Sequence, residues 1–81
     1  MIKGESGQQA VRHKPKEDPA AQALRHVCEA EGRVTRQEAL VERLSQDPKH
    51  DALAEQARDI LATLRRTLTL AREHLAHELK K

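Results

Sequence analysis

From Asp47 onward the apolar residues recur at alternating steps of four and three. Written as a heptad, Ala54, Leu61, Leu68 and Leu75 fall at position a, and Ala57, Leu64, Ala71 and Glu78 at position d. Such a spacing predicts a helix with a coiled-coil-like seam. It opens at Asp47-Pro48, an N-cap followed by the first-turn position that tolerates proline, and no Gly or Pro interrupts it afterwards. The expected helix covers about 48–80, roughly 50 Å at 1.5 Å per residue. Leu53 and Ile60 fall at g, beside the seam, and widen the apolar face in its first half. That half is therefore expected to wall the chain's own core. Leu68, Leu75 and Leu79 are expected to remain for a second chain, and self-association or partner docking is assigned to Leu61, Leu64, Leu68, Leu75 and Leu79.

Upstream, Asp18-Pro19 repeats the same start signal, and Leu24, Val27 and Cys28 come after it at helical spacing with Ala20, Ala21 and Ala23 beside them. Gly32 suits the residue after a helix end. Thr35 and Glu38 then read as a capping box, with Val34 placed to staple onto Ala39. Two short helices are thus predicted, at about 19–31 and 35–46, with Leu40, Val41 and Leu44 inward on the second. A competing reading joins them through Gly32, since an internal glycine costs only about 1 kcal/mol. In either case the chain folds back at Ser45 to His50. The expected fold is an all-α helical hairpin, two short helices against one long C-terminal helix, completed as a bundle by dimerisation or a partner.

Composition supports this class and thins its core. The 81 residues include no Phe, Tyr or Trp, so burial rests on Leu, Val, Ile and Ala. Domains of this size are marginal even with aromatics, which raises the expectation of a homodimer or a protein partner. The net charge of +2 lies in the first 17 residues, where Lys3, Arg12, Lys14 and Lys16 outnumber Glu5 and Glu17. That stretch has few sizeable apolar side chains and reads as a disordered basic tail ahead of one helical domain over 18–81. The single cysteine, Cys28, cannot form an internal disulfide, which fits a reducing compartment. With no apolar run long enough for a signal peptide or a bilayer span, the expected location is cytoplasmic.

The candidate chemistry is sparse. Arg58, Arg65 and Arg72 line position e, with Arg66 adjacent. One reading makes them a flank whose stems cover the seam and whose charges pair with Glu29, Glu31, Glu38 or Glu42. The other makes them, with Arg12, Lys14 and Lys16, a surface for phosphates or an acidic partner. His74 and His77 stand three apart on one face, with Glu73 or Glu78 as the available oxygen ligands, and a third strong ligand is lacking. Their bland reading is surface histidine near a helix C-terminus. Cys28 reads as a small core residue, since no His–Asp arrangement surrounds it. No glycine-rich phosphate loop or serine elbow is present, and no paired carboxylates lie in a predicted cleft. No cofactor, metal, catalytic residue or small-molecule substrate is assigned.

The stretch from Glu31 to Leu44, EGRVTRQEALVERL, resembles the opening of many helix-turn-helix domains, a glycine-containing turn leading into a capped helix. Beyond Leu44, however, the chain continues as Ser45-Gln46-Asp47-Pro48 and a leucine-seamed helix instead of a recognition helix. Two shorter stretches also have counterparts. Glu31-Gly32-Arg33-Val34 with Glu73-His74-Leu75 is similar to fragments of the helical copper- and formaldehyde-sensing repressors, without their metal-ligand cysteine. Asp47-Pro48 with Leu53-Ala54-Glu55 is similar to the turn of type III secretion needle and rod subunits. The function expected from the residues is a non-enzymatic interaction protein, a regulator, adaptor or chaperone-like partner acting through its long helix. The alternative is a DNA-binding regulator using the basic tail and the Arg58/Arg65/Arg72 stripe.

Overall fold

The structure, a computed structural model, describes residues 17–81. The expectations placed on residues 1–16, including Arg12, Lys14 and Lys16, lie outside the described residues. Two antiparallel helices form a hairpin: α1 over Pro19–Ser45 and α2 over Asp51–Lys80, joined by a short 3-10 turn at Pro48–His50. Among the described residues there is no strand.

The all-helical hairpin is as expected, but the division of its first arm is corrected. α1 is one helix of 27 residues that passes through Gly32 without a break. Its buried and half-buried positions explain why. Ala20, Val27, Val34 and Val41 repeat every seven residues, and Ala23, Ala30, Gln37 and Leu44 fall between them, so one seam runs the whole length. Gly32 sits at the outward position f of that repeat, where the missing side chain takes nothing from the seam. Ending the helix there would divide the continuous packing of Val27, Ala30 and Val34, all buried, to relieve a cost of about 1 kcal/mol. The capping box accordingly does not form. Val34 is buried against α2, and Thr35 and Glu38 are exposed mid-helix.

The turn is built where the sequence put it. Asp47 caps the 3-10 segment rather than α2 itself, its Oδ1 accepting from the Lys49 amide at 3.0 Å, and Pro48 occupies the first position. α2 begins three residues later than expected, at Asp51, an acidic residue in the first turn where the helix dipole favours it. At the end of α1 the amides of Gln46 and Asp47 bond back to the carbonyls of Arg43 and Leu44 at 3.3 and 3.4 Å. No described residue needs a positive φ, so the chain reverses without glycine.

Packing tracks the α2 heptad closely. Its a and d positions from Ala54 to Glu78 are all buried or half-buried, and every other position on α2 is exposed. The core is therefore a single layer: Val27, Ala30 and Val34 of α1 with Leu61 and Leu68 of α2, flanked by Val41, Leu64, Ala71 and Leu75. Ala23, Ala54 and Ala57 extend it as buried small residues. Gln37 is the one polar side chain of α1 in the seam, and its Nε2 donates to the Ala57 carbonyl at 2.9 Å, so no buried polar atom is left unpaired among the described residues.

Three expectations about the faces change. Leu24 is 52% exposed and Cys28 is exposed, because the inward positions of α1 are Ala23, Val27 and Ala30. Leu53 and Ile60 are 50% and 52% exposed and lie outside the core. Leu68 is buried and Leu75 half-buried against α1, which reaches both ends of α2 because it is one long helix.

This packing has two measurable effects on stability. A Cβ added at Gly32 would meet only the far end of the flexible Arg36 side chain, at 3.4 Å. Gly32→Ala should therefore raise unfolding stability by about 0.5–1 kcal/mol in urea titration; a decrease would show that the glycine is needed as a break. Leu68→Asp should cost more than about 3 kcal/mol by placing a charge in the seam, whereas Leu53→Asp should stay within about 1 kcal/mol. Circular dichroism melts of both variants would decide the order, and the reverse order would overturn the seam assignment.

Candidate interaction surface

The seam leaves the hairpin with two flanks of opposite character. The first is closed by charge. Glu31, Glu38 and Ser45 occupy position e of α1, and Arg72, Arg65 and Arg58 the same position of α2. Because the helices are antiparallel and both repeats step by seven, the positions meet in order. Arg72 Nη2 reaches Glu31 at 3.2 Å, Arg65 Nη2 reaches Glu38 at 2.9 Å, and Arg58 Nη2 donates to Ser45 Oγ at 3.0 Å. The Ser45 hydroxyl in turn donates to the Val41 carbonyl at 2.8 Å. Two of the expected carboxylate partners, Glu31 and Glu38, thus hold the arginine stripe. Glu29 instead pairs with Arg25 within α1 at 3.6 Å. Arg66, one residue out of phase with the stripe, makes only a long contact to Thr63 Oγ1, 3.4 Å.

These pairs are half-exposed, with side-chain accessibilities of 47–59%, and each contributes little to stability alone. Their effect is on alignment: shifting one helix by a turn would part all three contacts together. At the open end of the hairpin the same step reaches Leu24 and Leu79, 52% and 69% exposed. Near the start of α1, Arg25 also hydrogen-bonds Glu17, and that bond together with the Arg25 charge holds the Glu17 carboxyl below its ordinary pKa.

The second flank is open. Near the turn, a shallow groove of about 340 Å³ is lined by Leu40 and Leu44 of α1 and by Leu53, Gln56 and Ile60 of α2, with Gln37 and Ala57 at its floor. Toward the other end a second shallow groove lies between His26 and Arg33 on one side and Thr67, Leu70 and His74 on the other. Leu70 is 65% exposed. The apolar residues on this flank have no cover within the hairpin.

Of the association residues expected from sequence, Leu61, Leu64, Leu68 and Leu75 face α1 in the chain's own seam, and only Leu79 is exposed. On the open flank the residues free to meet another molecule are Leu53, Ile60 and Leu70, with half-buried Leu40 and Leu44 behind them. Their signal in the sequence is the g and c line of the α2 repeat, free of Asp, Glu, Lys and Arg, whose Leu53 and Ile60 are expected there to wall the internal core.

No described group of three or more His, Cys, Asp or Glu residues is arranged to hold a metal ion. His74 lies 3.9 Å from Glu78, and Glu78 also takes Lys81 at 3.2 Å. Cys28 is exposed on α1, and no polar or charged residue is buried among the described residues. No described helix is long and apolar enough to cross a membrane. The Glu31 to Leu44 stretch that resembles a helix-turn-helix opening is continuous helix, with no turn. Compared with protein-family models, curated proteins and solved structures, the chain finds no match.

The closed flank gives a direct outcome. Glu38→Arg and Arg65→Glu should each lower stability by less than about 1 kcal/mol, and the double exchange should recover most of the loss. Urea titrations of the four proteins form the cycle; a coupling energy indistinguishable from zero would mean that the pair does not hold the register.

Proposed function

We propose that this chain is a small non-enzymatic helical interaction protein, a regulator, adaptor or chaperone-like partner that works by helix-on-helix burial through α2. The observation that carries the reading is the pair Leu53 and Ile60, half-exposed beside Leu40 and Leu44 on one flank of a hairpin whose other flank is ion-paired. Contiguous apolar side chains next to a finished seam favour a further helix laid along them. The seam itself supports the same view. It holds two buried leucines, two buried valines and four buried alanines, a small core for about 60 ordered residues by the standards of single domains.

The surface also bears on what kind of partner is favoured. A protein that grips phosphates needs arginines with free guanidinium groups. Arg65 and Arg72 are engaged with carboxylates and Arg58 with a hydroxyl, which favours apolar docking over DNA binding through that stripe. An exposed Cys28 thiol suits a reducing compartment, so the reading places the protein in the cytoplasm.

The test is a pair of surface variants. Ile60→Glu should weaken association with the physiological helical partner or with a second copy at least about tenfold, while Arg65→Gln leaves it within about twofold and far-ultraviolet circular dichroism stays helical for both. Duplex DNA should show no salt-sensitive mobility shift at physiological ionic strength. A shift abolished by Arg65→Gln, with Ile60→Glu silent, would replace this reading with a nucleic-acid one.

A further inference from the structure

The open flank of α2 is a second seam. Leu53, Gln56, Ile60 and Thr63 continue as Thr67, Leu70, His74 and His77, again at alternating steps of three and four. All are exposed, and no Asp, Glu, Lys or Arg stands among them. The acidic, lysine and arginine side chains of α2 lie elsewhere: Asp51, Arg58, Arg65 and Arg72 on the closed flank, Glu55 on the back, Glu78 at the end of the first seam, and Asp59, Arg66, Glu73 and Lys80 along the far edge of the strip. On a helix as charged as this one, a strip free of Asp, Glu, Lys and Arg along six turns, with Leu53, Ile60 and Leu70 exposed on it, is a face that a neighbouring helix can cover without burying a carboxylate, ammonium or guanidinium group. The corresponding strip of α1 carries Glu29, Arg33, Arg36 and Arg43 and lacks that character.

Resting on the reading of α2 as the docking helix, we propose that the occupant of this seam is α2 of a second copy of the chain, packed antiparallel about a two-fold axis between Ile60 and Thr63. The order of residues is self-complementary in that arrangement. Leu53 meets the partner's Leu70, Gln56 meets the partner's Thr67, and Ile60 meets the partner's Thr63, and the axis repeats each contact. Apolar ends thus close on apolar ends, and the amide of Gln56 meets a hydroxyl. The same register sets Asp59 beside the partner's Arg66 twice, once on each side of the axis. Neither of these two residues has an ion-pair partner within its own chain among the described residues. A parallel pairing would bring the far-edge charges against Ala57, Leu64 and Ala71 of the first seam instead, so charge complementarity selects the antiparallel one. Both α1 helices then lie on the same side of the α2 pair, and the product is an isologous four-helix dimer joined through α2.

Sedimentation velocity of the full chain, from micromolar to submillimolar loading, is the test. The wild type should show a reversible monomer–dimer equilibrium. Leu70→Glu should raise the dissociation constant at least about tenfold, with its helical circular dichroism retained because that side chain is 65% exposed. Leu24→Glu, also exposed but on the other flank, should leave it within about twofold. Asp59→Arg and Arg66→Asp should each weaken the dimer by about three- to tenfold, and their combination should restore it. A chain that stays monomeric throughout overturns the proposal, as does a dimer insensitive to Leu70→Glu or a double charge exchange that fails to recover. If a monomeric wild type binds a heterologous helical protein and Leu70→Glu abolishes that binding, self-association is overturned while the interaction reading stands. If neither dimer nor such binding exists, both fall.

Discussion

One layer of side chains between two helices holds this molecule together. A three- or four-helix bundle surrounds its centre, so a seam residue there touches several elements; in a lone hairpin each seam residue has only the facing helix. Small residues compensate in part. Ala23 and Ala30 on α1 and Ala57 and Ala71 on α2 occupy d positions, and small side chains at the contact let helix axes approach toward the short end of the usual 8–10 Å. Close approach brings backbone into contact with side chain. That is how Gln37, at a d position where an apolar residue would be expected, can reach the Ala57 carbonyl across the seam. A polar group that fits in only one alignment disfavours every other one, as single buried polar residues do in coiled coils.

Register is then set three times over by independent means: large-to-small complementarity in the seam, the Gln37 bond, and the ion-paired ladder of Glu31, Glu38 and Ser45 with Arg72, Arg65 and Arg58. Only the first contributes much free energy. The other two act on specificity, because sliding α2 by one turn would take Gln37 away from the Ala57 carbonyl, Arg65 and Arg72 away from their carboxylates and Arg58 away from the Ser45 hydroxyl. Agreement among weak local preferences is what separates one packing from its near neighbours when the apolar contribution is small.

The legibility of the sequence divides along the same physical line. α2 is readable because nothing in it competes: thirty residues without Gly or Pro, and a strict heptad. The turn is readable because Asp47-Pro48 has a specific backbone meaning. α1 is misdivided because Gly32, Thr35 and Glu38 satisfy a local rule worth about 1 kcal/mol, while the opposing signal, the run of Val27, Ala30, Val34, Gln37 and Val41, spans the supposed break and becomes visible only when the repeat is carried through it. That one error exchanges the faces as well. Two short helices would stack on the first half of α2 and free Leu68 and Leu75; one long α1 covers both and frees Leu53, Ile60 and Leu70.

The arginines show most plainly why a stripe in sequence is not a patch in space. Three arginines at seven-residue spacing on one helix would project a positive line if that helix stood alone, and the same residues at the same spacing are nearly neutral once an antiparallel neighbour sets Glu31 and Glu38 against two of them. Position e borders position a of the seam, so the arginine stems start beside Leu61 and Leu68. One flank is thereby finished by charge, and the unfinished flank is the one from which α2 withholds Asp, Glu, Lys and Arg. Charge placement on α2 thus records the neighbour already beside it: arginines stand where α1 presents Glu31 and Glu38, and the opposite flank carries no Asp, Glu, Lys or Arg.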